Sequence, residues 1–440
     1  MNMRDYQSWG RYRHAEHVVL PQRWRFDELA GVSGKQSILP YGKGRSYGDS
    51  CLNDGGIIVP TENLDHFIHF DTGTGVLSCE SGVTLAQLLE LAVPRGWFLP
   101  VTPGTKFATL GGAIANDVHG KNHHVAGTFG CHVRKFELLR SDGSRLICSA
   151  TENSDYYQAS IGGLGLTGLI TWAEIQLKKI STAFIEREAI IFSNLKEFLA
   201  LSLESDRNWE YTVAWVDCLS AGKSLGRGIY YRGRHHEAQG EARAFEMRKT
   251  ANLKIPFDAP SFLLNTTTVK SFNAFYYHKQ LKKCSSGKIH YDPFFYPLDG
   301  IHEWNRLYGK QGFFQFQCVI ADDKEGALEE LLKRISKSGQ GSFLSVLKRF
   351  GNSTSPGMLS FPRTGITLAL DFANKGQKTM RLLDELEQIV VEAGGAIYPA
   401  KDAIMKARHF QQFYPKWKDF CEYLDPRFSS SFWRRVSGQS

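Results

Sequence analysis

Apolar residues follow two different rhythms along this chain. Up to about residue 180 they come in short runs set between glycines. The text "SILPYGKGRSYGD" predicts a strand entering a glycine loop, and "GVLSCESG" predicts a second strand. In "TLAQLLELAVPRG" the spacing of Leu85, Leu88, Leu89 and Ala92 predicts a helix, with Thr84 as its N-cap and Pro94 and Gly96 as its stop. "KFELLRSDGSRLICSA" predicts a hairpin turning at Asp142-Gly143, and "GLITWAEIQLKKI" a strand that closes the region. Beyond it, two longer amphipathic helices are predicted. One carries Leu328, Leu331, Leu332 and Ile335 and ends at Gly339; the other carries Leu382, Leu383, Leu386, Ile389 and Val390 and ends at Gly394. Strand-like text follows each ("GSFLSVLKRF", "GAIYPA"), which predicts an antiparallel or mixed sheet with helices on one side. From about Arg248 to Lys288 no clear period is visible. Basic and aromatic residues mix there ("VKSFNAFYYHKQLKKC"), as in a long mobile loop or a surface-active segment.

Composition narrows the class. The chain has 440 residues, 42% hydrophobic and 22% charged, which suits two or three globular domains. A net charge of +8 favours anionic partners only mildly. No Lys/Arg-rich block marks a nucleic-acid tail, so no nucleic-acid partner is expected. The eight cysteines are scattered without a C-x-x-C pair, as in a reducing compartment. The text "MNMRDYQSWGRYRHAEH" has no apolar core segment of a secretory signal, and no run reaches the ~18 apolar residues of a membrane span. A cytoplasmic protein is the expectation.

Three glycine-rich stretches carry the candidate chemistry. "YGKGRSYGD" (Tyr41–Asp49) is either a backbone cradle for an anion or a tight structural turn; it lacks the spacing of a P-loop. "IGGLGLTG" contains G-x-G-x-x-G at Gly163, Gly165 and Gly168. A nicotinamide-type fingerprint opens a helix, whereas strand-like text follows here, so that reading is refused. "GGAIANDVHGKNHH" (Gly111–His124) offers His119, His123 and His124. Their spacing makes a metal site only on a helix, the glycines argue for a loop, and no metal is expected. Glycines for close approach and polar side chains for a heteroaromatic edge suit a planar ring instead; the alternative is a polar surface loop, against which "GGAIA" is apolar enough to be buried.

Taken together, "GKGRSYGD", "PGT…TLGGAIANDVHGKNHHVAGTFGCHVR" and "GGLGLTGLI" resemble, in order and spacing, the vanillyl-alcohol-oxidase-type FAD-binding flavoproteins. The strings "YTVAWVDCLS", "FFYPLDGIHEWNRLYG", "FFQFQCVI", "SFLSVLKRFG", "LSFP" and "YPAKD" are similar to the branch of that family that oxidises a lipid-linked ribose phosphate. The resemblance covers nearly the whole chain. It implies an α+β, two-domain architecture with a split FAD-binding domain (1–180 and 394–440) around an α+β substrate domain on an antiparallel sheet (181–393). It implies FAD-dependent oxidation of the 2-hydroxyl of a polyprenylphosphoryl-β-D-ribose, with a separate NAD(P)H-dependent reductase completing an epimerisation. A soluble aldose, alditol or aldonolactone is the alternative substrate within the same fold. A non-catalytic membrane- or nucleic-acid-binding protein is the rival outside it.

Carried onto matching positions, the cofactor would be held by Pro40, Tyr41, Gly42, Lys43, Gly44, Arg45, Ser46, Tyr47, Gly48, Asp49 and Ser50. Gly104, Thr109, Leu110, Gly111, Gly112, Asn116, Asp117, Val118, His119, Ile170 and Tyr398 would complete its site. Lys401, His119 and Tyr47 would serve catalysis, with Lys401 handling the hydroxyl proton, a role that burial or a neighbouring cation makes accessible to a lysine. Trp215, Tyr296, Gln315, Gln317, Lys348, Thr367, Ala369 and Lys401 would shape the sugar-phosphate pocket, with Lys348 on the phosphate. Arg45 stands where covalent flavoproteins of the family often carry histidine, so noncovalent FAD is expected. Thr367 and Ala369 stand where actinobacterial relatives carry asparagine and cysteine, which alters the pocket wall. A lipid substrate also implies a peripheral contact at the inner face of a membrane. The 248–288 segment and "FSSSFWRRV" could serve it, or be a solvated loop and a frayed tail.

Overall fold

The computed structural model describes residues 6–237, 244–246, 253–260 and 263–438. Alternation along the later strands decides the architecture. In Phe313–Ile320, side chains 314, 316, 318 and 320 enter one apolar core, while Gln315 and Gln317 turn to the opposite face. In Gly365–Ala373, Leu368, Leu370 and Phe372 enter the same core, and Ala369 and Asp371 face away from it. These two strands sit in an eight-stranded antiparallel sheet. Its order is Cys284–His290, Phe184–Phe192, Gly228–His235, Tyr211–Val216, Ser345–Phe350, Gly365–Ala373, Phe313–Ile320, Ala396–Ile397. The helices Glu325–Ser338 and Gln377–Glu392 cover one face with the leucines expected from the sequence, and helix Leu195–Ser205, which is not among the helices expected from it, joins them. Full burial of each such side chain stabilises by roughly 1.5–3 kcal/mol. The opposite face of the sheet is left to line a cavity.

The earlier region builds a five-stranded antiparallel sheet, ordered Phe67–Asp71, Val76–Glu80, Leu169–Gln176, Val133–Leu139, Arg145–Ser149. Beside it lies a three-stranded parallel sheet, ordered Val18–Val19, Ile57–Pro60, Ile38–Tyr41. Helix Leu85–Ala92 has the capping box at Thr84 and buries the four predicted apolar residues. Gly168 is followed by the strand Leu169–Gln176, as the refusal of a nicotinamide fingerprint required.

Three sequence expectations change. "GGAIA" is not a loop: Leu110–Ala115 is a helix capped by the Thr109 side chain, with Leu110, Ala113 and Ile114 buried. Its glycines allow close packing, since a Cβ on Gly111 would lie 2.9 Å from the Ser81 side chain. The 248–288 segment begins in residues outside the described ones, but its later part is ordered as helix Thr266–His278 and strand Cys284–His290. That helix buries only Val269 and Asn273, so no apolar period announces it. Finally, "FSSSFWRRV" is not a frayed tail. It forms helix Ser431–Ser437, capped by Ser430, with Phe432, Trp433 and Val436 buried. Arg435 clamps this helix inward through Asp49 (2.6 Å) and Asp402 (2.9 Å), and Phe428 packs with Ile38 and Ile57 of the parallel sheet. No helix among the described residues is long and apolar enough to cross a membrane.

Candidate active site

A cavity of about 860 Å³ opens between the glycine-loop region and the bare face of the eight-stranded sheet. It lies in the upper part of the ~300–1,000 Å³ range usual for ligand sites.

One wall is made mostly of backbone. The glycine loop leaves strand Ile38–Tyr41 and brings Gly42 against the cap of helix Leu110–Ala115, where a Cβ would meet Thr109 Oγ1 at 2.5 Å. Gly44 turns with φ +59°, and a side chain there would strike the Tyr41 hydroxyl, itself bonded to the Gln7 carbonyl (2.7 Å). Of the expected cofactor residues, Pro40, Tyr41, Gly42, Lys43, Gly44, Arg45, Ser46, Tyr47 and Ser50 line the cavity. So do Gly104, Thr109, Gly111, Gly112, Asn116, Val118, His119, Ile170 and Tyr398. Tyr398 is fixed by its hydroxyl, which donates to the Asn116 carbonyl (2.8 Å). Arg45 stacks on Trp9 (4.1 Å) and Phe107 (5.7 Å).

The other wall is made of side chains. Gln315, Gln317, Lys348, Ala369 and Trp215 reach the cavity from the sheet, and Lys401 reaches it from the turn Pro399–Lys401. Lys401 Nζ sits 3.8 Å over the Tyr47 ring. The backbone N–H of Tyr47 donates to the Ala400 carbonyl (2.9 Å), which ties the glycine loop to that turn. Desolvation, partly offset by Asp371 and reinforced by Lys348, lowers the Lys401 ammonium to about 7. Desolvation alone lowers Lys348 to about 8. His119 accepts a hydrogen bond from Gln317 Nε2 at its Nε2 (2.9 Å), while desolvation and the lysines push its pKa well down. It is therefore a neutral imidazole with its proton on Nδ1, and that nitrogen has no hydrogen-bond partner.

Six expected residues lie behind these walls. Gly48 and Asp49 face the C-terminal segment: a Cβ on Gly48 would lie 1.6 Å from the Asp402 carbonyl oxygen, and Asp49 pairs with Arg435. Leu110 is fully buried in the core. Asp117 accepts from the Gly130 N–H (2.8 Å) and from the hydroxyls of Ser355 and Ser360, so it latches two loops together. Tyr296 points away to Thr102 (2.6 Å between hydroxyls), and Thr367 accepts from Gln317 (3.2 Å). These six support the site without lining it.

Sequence reasoning also misses residues. Lys121 lines the cavity, donates to the Phe294 carbonyl, and is lowered to about 7 by burial and by Lys348. Asp371 lines it as well, 1% exposed, accepting from Gln315 Nε2 (2.7 Å). Continuing the period-two step from Thr367 through Ala369 reaches it: a carboxylate at a cavity-facing position of "LALDF". The histidine stretch does not gather as metal ligands. His119 bonds Gln317, and His124 Nε2 bonds the Trp209 carbonyl (2.8 Å).

Residues 32–149 match the model of the FAD binding domain. The chain is 35% identical over 423 residues to the decaprenylphosphoryl-beta-D-ribose oxidase of Mycolicibacterium smegmatis, covering 92% of this chain and 90% of that one. The chain belongs to that oxidase family. An uncharacterised protein of Streptomyces coelicolor is 32% identical over 80% of this chain and all of its own length. The human Delta(24)-sterol reductase matches 115 residues at 33% identity, 26% of this chain and 22% of its own. The protein is thus a FAD-dependent oxidoreductase.

The walls fit the cofactor. The buried hydroxyls of Ser50 and Ser81 and the Nε of Arg45 all border the cavity, and none has a hydrogen-bond partner. A Cβ on Gly104 would meet nothing within 4 Å, so this residue presents open backbone to the cavity. Unpaired donors beside bare backbone are what a pyrophosphate and a flavin edge require.

Proposed function

We propose that this enzyme oxidises the 2-hydroxyl of a polyprenylphosphoryl-β-D-ribose to the 2-keto sugar, using noncovalently bound FAD. The observation that carries the reading is that Lys348 from the sheet, Lys401 from the turn Pro399–Lys401 and Lys121 all line one large cavity. The full-length similarity to the mycobacterial oxidase supports the same substrate class. Bound FAD supplies the two-electron acceptor for the hydrogen on the sugar carbon. Lys401, as the free amine, accepts the hydroxyl proton. Lys348, as the ammonium, pairs with the phosphate, and neutral His119 donates from Nδ1 to a sugar oxygen. Arg45 at the glycine loop supports noncovalent binding, because a guanidinium forms no bond to the flavin ring. A separate NAD(P)H-dependent reductase would consume the ketone.

The mouth suits a lipid. Phe272, Tyr276 and Lys279 of helix Thr266–His278 and its C-cap line the cavity, and the same helix exposes Phe275. A basic, aromatic rim of this kind favours peripheral contact with an anionic bilayer. The test is anaerobic mixing of the yellow enzyme with polyprenylphosphoryl ribose or with soluble aldoses, alditols and aldonolactones. Bleaching of the flavin band by the lipid-linked ribose alone supports the reading. Bleaching by a soluble sugar at least as fast overturns it. Flavin that stays with acid-precipitated protein would overturn noncovalent binding.

A further inference from the structure

Asp371 is a cavity-facing residue whose chemistry the mechanism above does not use. It comes from the central strand Gly365–Ala373, which is flanked by Ser345–Phe350 and Phe313–Ile320. It pairs in register with Gln315, whose amide donates to Oδ1. Its other oxygen, Oδ2, is buried and has no hydrogen-bond partner. A buried carboxylate with an open oxygen is costly unless a cation or a donor faces it. Asp371, Gln315, Lys401 of the turn Pro399–Lys401 and Tyr47 of the glycine loop line one cavity, and the titratable groups that act on the carboxylate are Lys401, Tyr47 and Tyr308 of Trp304–Tyr308. Lys401 in turn lies over the Tyr47 ring and faces Lys348 and His119.

We propose that Asp371 is a positioning residue for Lys401: held by Gln315 in the cavity that both residues line, its carboxylate sets the protonation of the lysine that accepts the substrate proton. The sign follows from the charges around the amine. Burial and Lys348 favour the neutral amine, and Asp371 is the opposing charge. It keeps the ammonium present up to neutral pH, so that the free amine appears as the pH rises through about 7. The carboxyl itself is pushed up to about 7 by burial, which makes the control graded across that range. Without Asp371 the lysine would turn neutral at a lower pH, because burial and Lys348 would act unopposed.

The inference rests on Lys401 being the proton acceptor in the proposed function, so its test needs a readout independent of substrate. Lys401 is acetylated with limiting acetic anhydride across pH in the holoenzyme, and its labelling is read by peptide mass spectrometry. In Asp371→Asn the half-labelling pH falls by about one unit, the size expected for loss of an opposing charge; Asp371→Glu restores it. Gln315→Met shifts it the same way by less, because the carboxylate loses its donor, and that variant decides the matter if Asp371→Asn does not fold. The acid limb of kcat/KM moves in parallel wherever turnover is measured. Labelling that stays at the wild-type pH in the folded variants overturns the proposal, including when kcat falls equally at every pH, as a purely structural role would require. Failure of the lipid-linked ribose to bleach the flavin, with the labelling shift intact, would sink the substrate reading and leave this inference standing.

Discussion

Across the cavity, the glycine-loop wall meets its contents with Gly42, Gly104, Gly111 and Gly112, whereas the sheet wall meets them with Gln315, Gln317, Lys348 and Asp371. The first wall presents backbone N–H groups, which carry no net charge and hold no proton to trade. The second presents titratable groups, and burial moves four that line the cavity towards neutral pH: Lys401 and Lys121 to about 7, Lys348 to about 8, Asp371 to about 7. In the proposed function one wall holds and the other reacts. Holding needs fixed geometry, while reacting needs groups poised between two protonation states.

The sharpest way to break the first wall is to place a methyl where backbone meets backbone. Gly48→Ala puts a Cβ 1.6 Å from the Asp402 carbonyl oxygen, at the joint that ties the glycine loop to the C-terminal segment. Neither side can yield without moving the loop, so the expected cost is on the order of 4–5 kcal/mol or more. The outcome is protein that loses flavin on gel filtration or does not fold. Retention of one flavin per chain at wild-type thermal stability would show that the loop is not held this tightly.

The same contrast explains what can be read from the sequence. Glycines that must pack closely leave a visible trace in "YGKGRSYGD" and "TLGGAIA", and helices that bury one face leave a period, as at Leu328–Ile335 and Leu382–Val390. The reacting wall leaves a fainter one. Its residues are single polar positions inside strands whose other face is core, so Gln315 and Gln317 are reached through resemblance and Asp371 escapes notice. Helix Thr266–His278 escapes for the converse reason: a helix with two buried residues has no apolar stripe to read. Asp49 and Asp117 look like cofactor residues because they stand inside glycine motifs. In the fold they serve Arg435 and the hydroxyls of Ser355 and Ser360, partners that lie hundreds of positions away and that no local spacing could announce.

The reacting wall is tested by Lys401→Met. The variant should keep its flavin, because the backbone wall is untouched, and lose roughly 10²–10⁴-fold in kcat/KM, the usual worth of a positioned base. Flavin content and turnover measured on the same preparation separate the two walls. Loss of both together would mean that Lys401 holds the cofactor.

The smallest of these effects is the most informative about substrate. Lys348 is lowered only to about 8, so at neutral pH it is still largely an ammonium and can pair with a phosphate, whereas Lys401, at about 7, is by then half amine. The proposed mechanism thus needs the two lysines in opposite states. On a phosphate-bearing substrate kcat/KM should rise as pH passes about 7, when Lys401 loses its proton, and fall above about 8, when Lys348 loses its own. Lys348→Gln removes one charge-assisted contact worth ~1.5–3 kcal/mol, or roughly 10–150-fold. That loss should sit in KM for a polyprenylphosphoryl ribose, be absent for a soluble pentose, and take the alkaline limb with it. If instead the variant loses kcat equally on both substrates and keeps its alkaline limb, the lysine acts on the reacting sugar rather than on phosphate. The assignment of the two lysines would then have to be exchanged.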